Sequence, residues 1–293
     1  MTTARSLLVD PHTPGVYHCI SRCVRRAWLC GMDPYNGKSY EHRREWVEQR
    51  LLELAEIFAV GIHAYAVMSN HVHVVQRIDP PTAVAWSPEE VASRWVRLFP
   101  AMRDSEVDEA ACRQKEETLL SNADRLAVCR QRLGSLAWFM RSLNEPIARR
   151  ANREDACTGR FWEGRYKCQA LLDDAAVLTC MSYVDLNPIR AGIAENLESS
   201  IHTSANYRIA GLREHPERAQ RDYGTSKMMA TQRNYGTSKN DGNTWVSPFG
   251  LRSVRDLEGA SIYVPDVARD RGRTGALRHN AALCKDSGVL SQG

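Results

Sequence analysis

The sequence predicts an α+β fold in which antiparallel strands are backed by helices on one face. Two observations predict it. The run order near the N-terminus is strand, helix, strand, strand, followed by helices and a further extended segment, which fits α+β better than a doubly wound parallel sheet. The two later strand-like runs are separated only by Ser69-Asn70, so they can pair with each other without a crossover.

Each element has a local reason. Residues 15–25, GVYHCISRCVR, alternate apolar and polar after a Pro-Gly breaker and read as a first strand. Residues 41–60, EHRREWVEQRLLELAEIFAV, carry Val47, Leu51, Leu54 and Phe58 at helical spacing and stop near Gly61. HAYAVM and HVHVVQRI follow as strands, with Ser69-Asn70 either a tight turn or a bulge within one longer strand. Residues 82–134 are charged and helix-prone, with Ser87-Pro88-Glu89-Glu90 as a helix start, and read as a helical insertion or lid.

Residues 135–153 read as a helix in which Pro146 forces a kink or a break. RFWEGRYKCQAL, 160–171, reads as extended. Asp173 and Asp174 offer an N-cap for a helix over DAAVLTCMSYVDLN, and Pro188 biases Asn187 away from helical geometry, ending that helix at or before Asn187. Beyond about residue 203 the texture changes: YGTSK occurs at 223–227 and again at 235–239, and few apolar residues are grouped. Residues 212–244 read as a linker or loose tail, and 245–265 as a possible small strand or helix.

Composition narrows the function. The 293 residues are 43% hydrophobic, enough for one good-sized core, but the apolar runs are short and broken by charge, so no membrane helix is expected. The first residues lack the apolar stretch of a secretion signal. The nine cysteines are odd in number and contain no CxxC pair, which fits a reducing, cytoplasmic setting better than a disulfide framework or zinc knuckle. No GxxxxGK[ST] loop is present, which argues against a nucleoside triphosphatase.

The net charge of +4 is mild, but between Arg130 and Lys167 nine basic residues face four acidic ones, interleaved with Trp138, Phe139, Phe161, Trp162 and Tyr166. Basic side chains meet phosphates and aromatic faces accept unstacked bases, so this mix suits single-stranded nucleic acid; it also describes a solvated helix face beside a packed aromatic cluster.

The stretch MSNHVHVV carries the chemistry. On a strand His71 and His73 share one face, roughly 6.5–7 Å apart along the chain, while Val72 and Val74 point to the other. Two imidazoles so placed can reach one divalent ion, which needs further ligands; they can also be hydrogen-bonded at a sheet surface. His18 and His63 lie on strands as well, each a third ligand or an ordinary sheet residue. Tyr183 and Asn187, four apart, lie within about 40° of each other on one helix. They border the apolar stripe Val177, Cys180/Met181, Val184 and can look across onto the sheet. A Tyr packed at a helix margin and an Asn capping a helix before proline is the plainer reading.

His71-Val-His73 resembles the HUH motif, and Tyr183-Val-Asp-Leu-Asn187-Pro188-Ile-Arg190-Ala-Gly192 resembles the tyrosine helix of REP-associated tyrosine transposases, relatives of the single-tyrosine insertion-sequence transposases. RFWEGRYK, 160–167, is similar to the segment before that helix, and YHCISR, 17–22, to the family's first strand. The resemblance covers roughly 14–210; the 82–134 insertion and the tail have no counterpart in it. It implies a ferredoxin-like or RRM-like antiparallel sheet with the HUH motif on a central strand; with the change of texture along the chain, this gives a domain over 1–210 and a linker with a loosely ordered extension over 211–293. It also implies Mg²⁺ or Mn²⁺ held by His71, His73 and Asn187, and Tyr183 as nucleophile.

The expected activity is cleavage and rejoining of single-stranded or hairpin DNA through a 5′-phosphotyrosine, with no membrane partner and a possible homodimer. Arg141, Arg149, Arg150, Arg160, Arg165 and Lys167 are candidate phosphate contacts, and Trp162 a candidate stacking residue. A catalytically silent hairpin-binding protein and a water-using metal nuclease are the alternatives.

Overall fold

The computed structural model describes residues 8–24, 28–33 and 37–214; the expectations for 215–293, including both YGTSK repeats, lie outside the described residues. The elements run β1 (Gly15–Arg22), α1 (His42–Ile57), β2 (Val60–Val67), β3 (His71–Ile78), α2 (Pro80–Ala85) and α3 (Pro88–Leu98). A two-residue ladder follows, β4 (Met102–Arg103) with β5 (Glu106–Val107), then α4 (Glu109–Leu120), α5 (Ala123–Leu133) and α6 (Leu136–Glu154). The last are β6 (Lys167–Leu171), α7 (Asp174–Asp185), α8 (Asn187–Arg190) and α9 (Ser204–Glu214), the last of these continuing past residue 210.

The main sheet has the order β2-β3-β1-β6, and every pairing in it is antiparallel. With α1 between β1 and β2 and α6 between β3 and β6, this is the ferredoxin-like arrangement expected from the resemblance. Met68 N–H bonds to the His71 carbonyl at 2.9 Å, so Ser69-Asn70 is a tight turn. That turn is pinned from outside: its carbonyls accept from the backbone N–H groups of Cys30 (3.0 Å) and Cys23 (2.9 Å).

Register assigns each strand residue to a face. Val74 lies opposite Cys19 and Tyr65, and Val72 opposite Ser21 and Val67; all of these but the buried Ser21 join Leu51, Leu54, Phe139, Met140 and Leu143 of α1 and α6 in the main core. On the other face His73 lies opposite Ile20 and Ala66, and Val75 opposite His18 and Ala64. There a smaller core of Ala64, Ala66, Met68 and Val75 packs against Val177, Met181 and Val184 of α7. The helical layer of α1 and α6 thus backs one face, and α7 crosses the other, over the histidines.

The 82–134 segment is helical, as its composition suggests. Ser87, Asp108 and Asn122 cap α3, α4 and α5 by accepting from backbone N–H groups three residues on, each cap typically contributing about 1 kcal/mol. Arg94 of α3 bonds the last carbonyls of α1 at Glu56 and Ile57, which fastens the insertion to the domain, and Arg130 of α5 bonds those of Ala83, Val84 and Trp86 within it.

Two local expectations need correction. α6 runs unbroken through Pro146. The proline removes the N–H that would meet the Ser142 carbonyl, but Arg50 Nε of α1 supplies a donor to that carbonyl at 3.1 Å. Asn187 is not pushed out of helical geometry either: α7 stops at Asp185, and Asn187 opens the single turn α8 with Pro188 behind it. Proline is well tolerated in a first turn, where its missing N–H has no partner to lose.

Candidate metal and nucleophile site

β3 presents His71 and His73 on the α7 side of the sheet, and the neighbouring β1 presents His18 beside them. His73 Nδ1 lies 2.9 Å from His18 Nε2, the two rings stacked at 5.2 Å. His71 Nδ1 lies 2.7 Å from Asn70 Oδ1, and the Nε2 atoms of His71 and His73 are 2.9 Å apart. Asn187 Nδ2 approaches His73 Nε2 at 3.3 Å. The Tyr183 ring meets the His73 ring edge to face at 5.9 Å. The structure therefore brings together the two histidines, the tyrosine and the asparagine that the sequence singles out.

These imidazoles are neutral over a wide pH range. Burial pulls His18 down to about 4, assisted by nearby His71, and pulls His71 down to about 4, assisted by Arg22. Burial, with His71 and His18 alongside, holds His73 well below its usual range. Neutral rings keep one lone pair each for an acceptor or metal role.

The hydrogen bonds say where those lone pairs point. Asn70 Oδ1 only accepts, so His71 Nδ1 carries the proton and His71 Nε2 the lone pair. Asn187 Nδ2 beside His73 Nε2, and His18 Nε2 beside His73 Nδ1, fit a His73 proton on Nδ1 facing His18. In that tautomer the Nε2 lone pairs of His71 and His73 both face the space between the rings, 2.9 Å apart.

Neighbouring ligands on a six-coordinate ion with bonds of about 2.1 Å lie about 3.0 Å apart. The separations seen, 2.9 Å and 3.3 Å, match, and turning over the Asn187 amide would aim its oxygen at the same point. The residues present therefore fit a divalent ion. Among the described residues no group of three or more His, Cys, Asp or Glu side chains is arranged to hold a metal, so a divalent ion here would be held by two imidazoles and an amide.

α7 is held over the site by a buried pair. Asp185 accepts from Ser204 Oγ at 2.6 Å and is bridged by Arg208 of α9. Burial pushes its carboxyl up, against the opposing pull of Arg208. Arg208 also reaches the His63 carbonyl at 3.1 Å, and Thr203 bridges Ala66 at the outer edge of β2. The Tyr183 helix is thereby tied to the strand beside β3.

The basic candidates divide. Lys167 lies opposite Ile20, which lies opposite His73, so it stands on the site face. Arg160 and Arg165 are exposed in the segment leading into β6. Arg141, Arg149 and Arg150 project from α6, which covers the opposite face. Arg141 and Arg149 pair with Glu145, and Arg150 lies 3.7 Å over the Trp46 ring.

Trp162 is half-buried, donates its indole N–H to the Asn144 carbonyl at 2.9 Å, and packs edge-on to Phe161. Two cations outside the candidate set are nearer the chemistry. Arg22 lies opposite His71, and Arg190 Cζ stands 5.5 Å from the Tyr183 ring centroid. Arg22 could have been found from the period-two alternation of β1, and Arg190 from its position one turn after Asn187.

No family model matches the chain, and no curated protein does. Among solved structures it is similar to a REP-associated tyrosine transposase bound to a REP hairpin, at 9% identity and a TM-score of 0.37, over 72% of this chain and 86% of that one. At that level of similarity the site's own geometry has to carry a reading of function.

Proposed function

We propose that this protein cleaves and rejoins single-stranded DNA through a covalent link to Tyr183. The observation that carries the reading is the convergence of a phenol, two imidazoles and an amide on one face of the sheet, with Arg22, Lys167 and Arg190 around them. The resemblance of the two motifs that contribute these side chains supports it.

A phosphodiester resists attack because its charge repels nucleophiles. A divalent ion, when bound, neutralises a non-bridging oxygen and orients the phosphorus. His71, His73 and Asn187 would hold it, and two imidazole donors favour Mn²⁺ over Mg²⁺ in affinity. Arg22, Lys167 and Arg190 would bind flanking phosphates and stabilise the charge on the five-coordinate phosphorus.

Tyr183 Oη forms the new bond to phosphorus, its proton leaving to water. The bond from phosphorus to the 3′-oxygen breaks, and that oxygen takes up a proton as a free 3′-OH. The 5′-phosphotyrosine retains the phosphodiester bond energy, so attack by another 3′-OH can seal a new junction without a nucleoside triphosphate.

The test is a 5′- and 3′-labelled single-stranded hairpin incubated with Mn²⁺ and resolved on a denaturing gel. A protein-linked product is expected. Free cut ends alone would point to a water-using nuclease, and uncut DNA that still shifts on a native gel would point to binding without turnover.

A further inference from the structure

We propose that His18 is a positioning residue that sets the tautomer of His73 and so builds the ion site; the proposal rests on the reading of His71, His73 and Asn187 as metal ligands. His18 is 7% exposed and His73 3% exposed, so water cannot substitute for the bond between His18 Nε2 and His73 Nδ1. The stacking at 5.2 Å with 19° between the planes leaves His18 no path to an ion in front of His73 Nε2, because it lies on the other nitrogen's side.

Its chemistry is that of an acceptor: it takes the Nδ1 proton of His73 and keeps the Nε2 lone pair aimed at the ion, as Asn70 does for His71. Without an acceptor at Nδ1, the proton moves to Nε2, where it blocks coordination. His18 therefore contributes to the site without touching the ion or the DNA, and the register of β1 against β3, with His18 opposite Val75 and Ile20 opposite His73, is what places the ring.

The experiment uses the full chain and Mn²⁺ alone as probe, titrated without DNA and followed by the paramagnetic resonance of the free ion. His18→Leu should weaken binding about 10- to 100-fold. His18→Gln, whose amide oxygen reaches about as far as the imidazole Nε2 and still accepts, should stay within about threefold of wild type. A general packing role would instead lower binding equally in both variants, and that result, or unchanged binding in His18→Leu, overturns the proposal.

A second readout needs no metal: long-range ¹⁵N–¹H spectra of histidine-labelled wild-type protein in chelator should show His73 protonated on Nδ1. Protonation on Nε2 overturns the proposal, and this holds even if His18→Leu fails to fold. Wild-type protein that shows the Nδ1 form yet binds no Mn²⁺ would instead sink the metal reading and leave the role of His18 standing.

Discussion

The Tyr183 ring on α7 and the His73 ring on β3 meet edge to face, 5.9 Å between centroids, on the side of the sheet that α1 and α6 leave uncovered. Two elements far apart in the chain thereby share one reaction space. If that space is an ion site, each imidazole is needed for its lone pair and not for packing. His71→Ala and His73→Ala should each abolish Mn²⁺-dependent cleavage while changing the melting temperature by no more than a few degrees. Removing a buried neutral ring costs stability through the cavity, but it also removes a group that resists burial. Activity and melting temperature measured on the same preparations check this; cleavage that survives both substitutions contradicts it.

The buried pair of Asp185 and Arg208 fixes how α7 sits over the sheet. Asp185→Ala leaves a guanidinium without its carboxylate in a dry setting, and loss of one member of such a pair typically costs about 3–5 kcal/mol. Chemical denaturation should show a loss of that order. DNA cleavage should fall even where the protein remains folded, because the helix carrying Tyr183 is released from α9. A variant of wild-type stability would mean that the pair does not tie the two helices together.

The two sets of basic residues should behave differently. Arg22, Lys167 and Arg190 surround the histidines and the tyrosine, Arg22 with Glu163 3.9 Å away, whereas Arg141 and Arg149 lie on the helix behind the sheet with Glu145. Arg22→Ala or Lys167→Ala should weaken binding of single-stranded DNA and lower the slope of log K against log salt by about 0.7 each. Arg141→Ala should leave both nearly unchanged. Salt titrations followed by fluorescence anisotropy decide this, and equal effects from the two sets would place DNA on both sides of the sheet.

Acid should unfold the protein earlier than its carboxylates alone would require. His18, His63 and His71 are each held at about 4 against the ordinary 6.5, mainly by burial. Below 6.5 the unfolded chain takes up protons that the folded chain refuses until about 4. Stability is therefore fully present above about pH 6.5 and is lost as pH falls toward 4, by on the order of 3 kcal/mol or less per histidine. Melting temperatures at pH 7.5, 6 and 5 should decline through that window; a flat profile would show that these rings are protonated in the folded state.

What could be read locally was legible. The alternation of His71-Val72-His73 fixed a common face for the rings, and the spacing of Tyr183 and Asn187 set them at one helix margin; both arrangements are found. What depended on pairing was not. Nothing in YHCISR says that β1 lies beside β3 in the register that sets His18 against His73, so His18 read as an ordinary sheet residue before a third ligand.

Charge counting along α6 found a basic stretch but could not tell which side of the sheet it would cover. Pro146 shows the same limit: the local rule allows a break, but the helix continues, and a guanidinium from α1 supplies a donor to the carbonyl that the proline leaves unmet. Trp162 read from its neighbours either as a stacking residue or as core; it is half-buried, with its indole N–H bonded to the Asn144 carbonyl.

The central claim is that Tyr183 Oη becomes bonded to a 5′-phosphate. Mass spectrometry of protease-digested protein, after incubation with single-stranded hairpin DNA and Mn²⁺, tests it most directly. The account predicts one nucleotide-bearing peptide, spanning Tyr183, which disappears in Tyr183→Phe while DNA binding persists. An adduct that survives in Tyr183→Phe, or a nucleotide attached to any other residue, would contradict it.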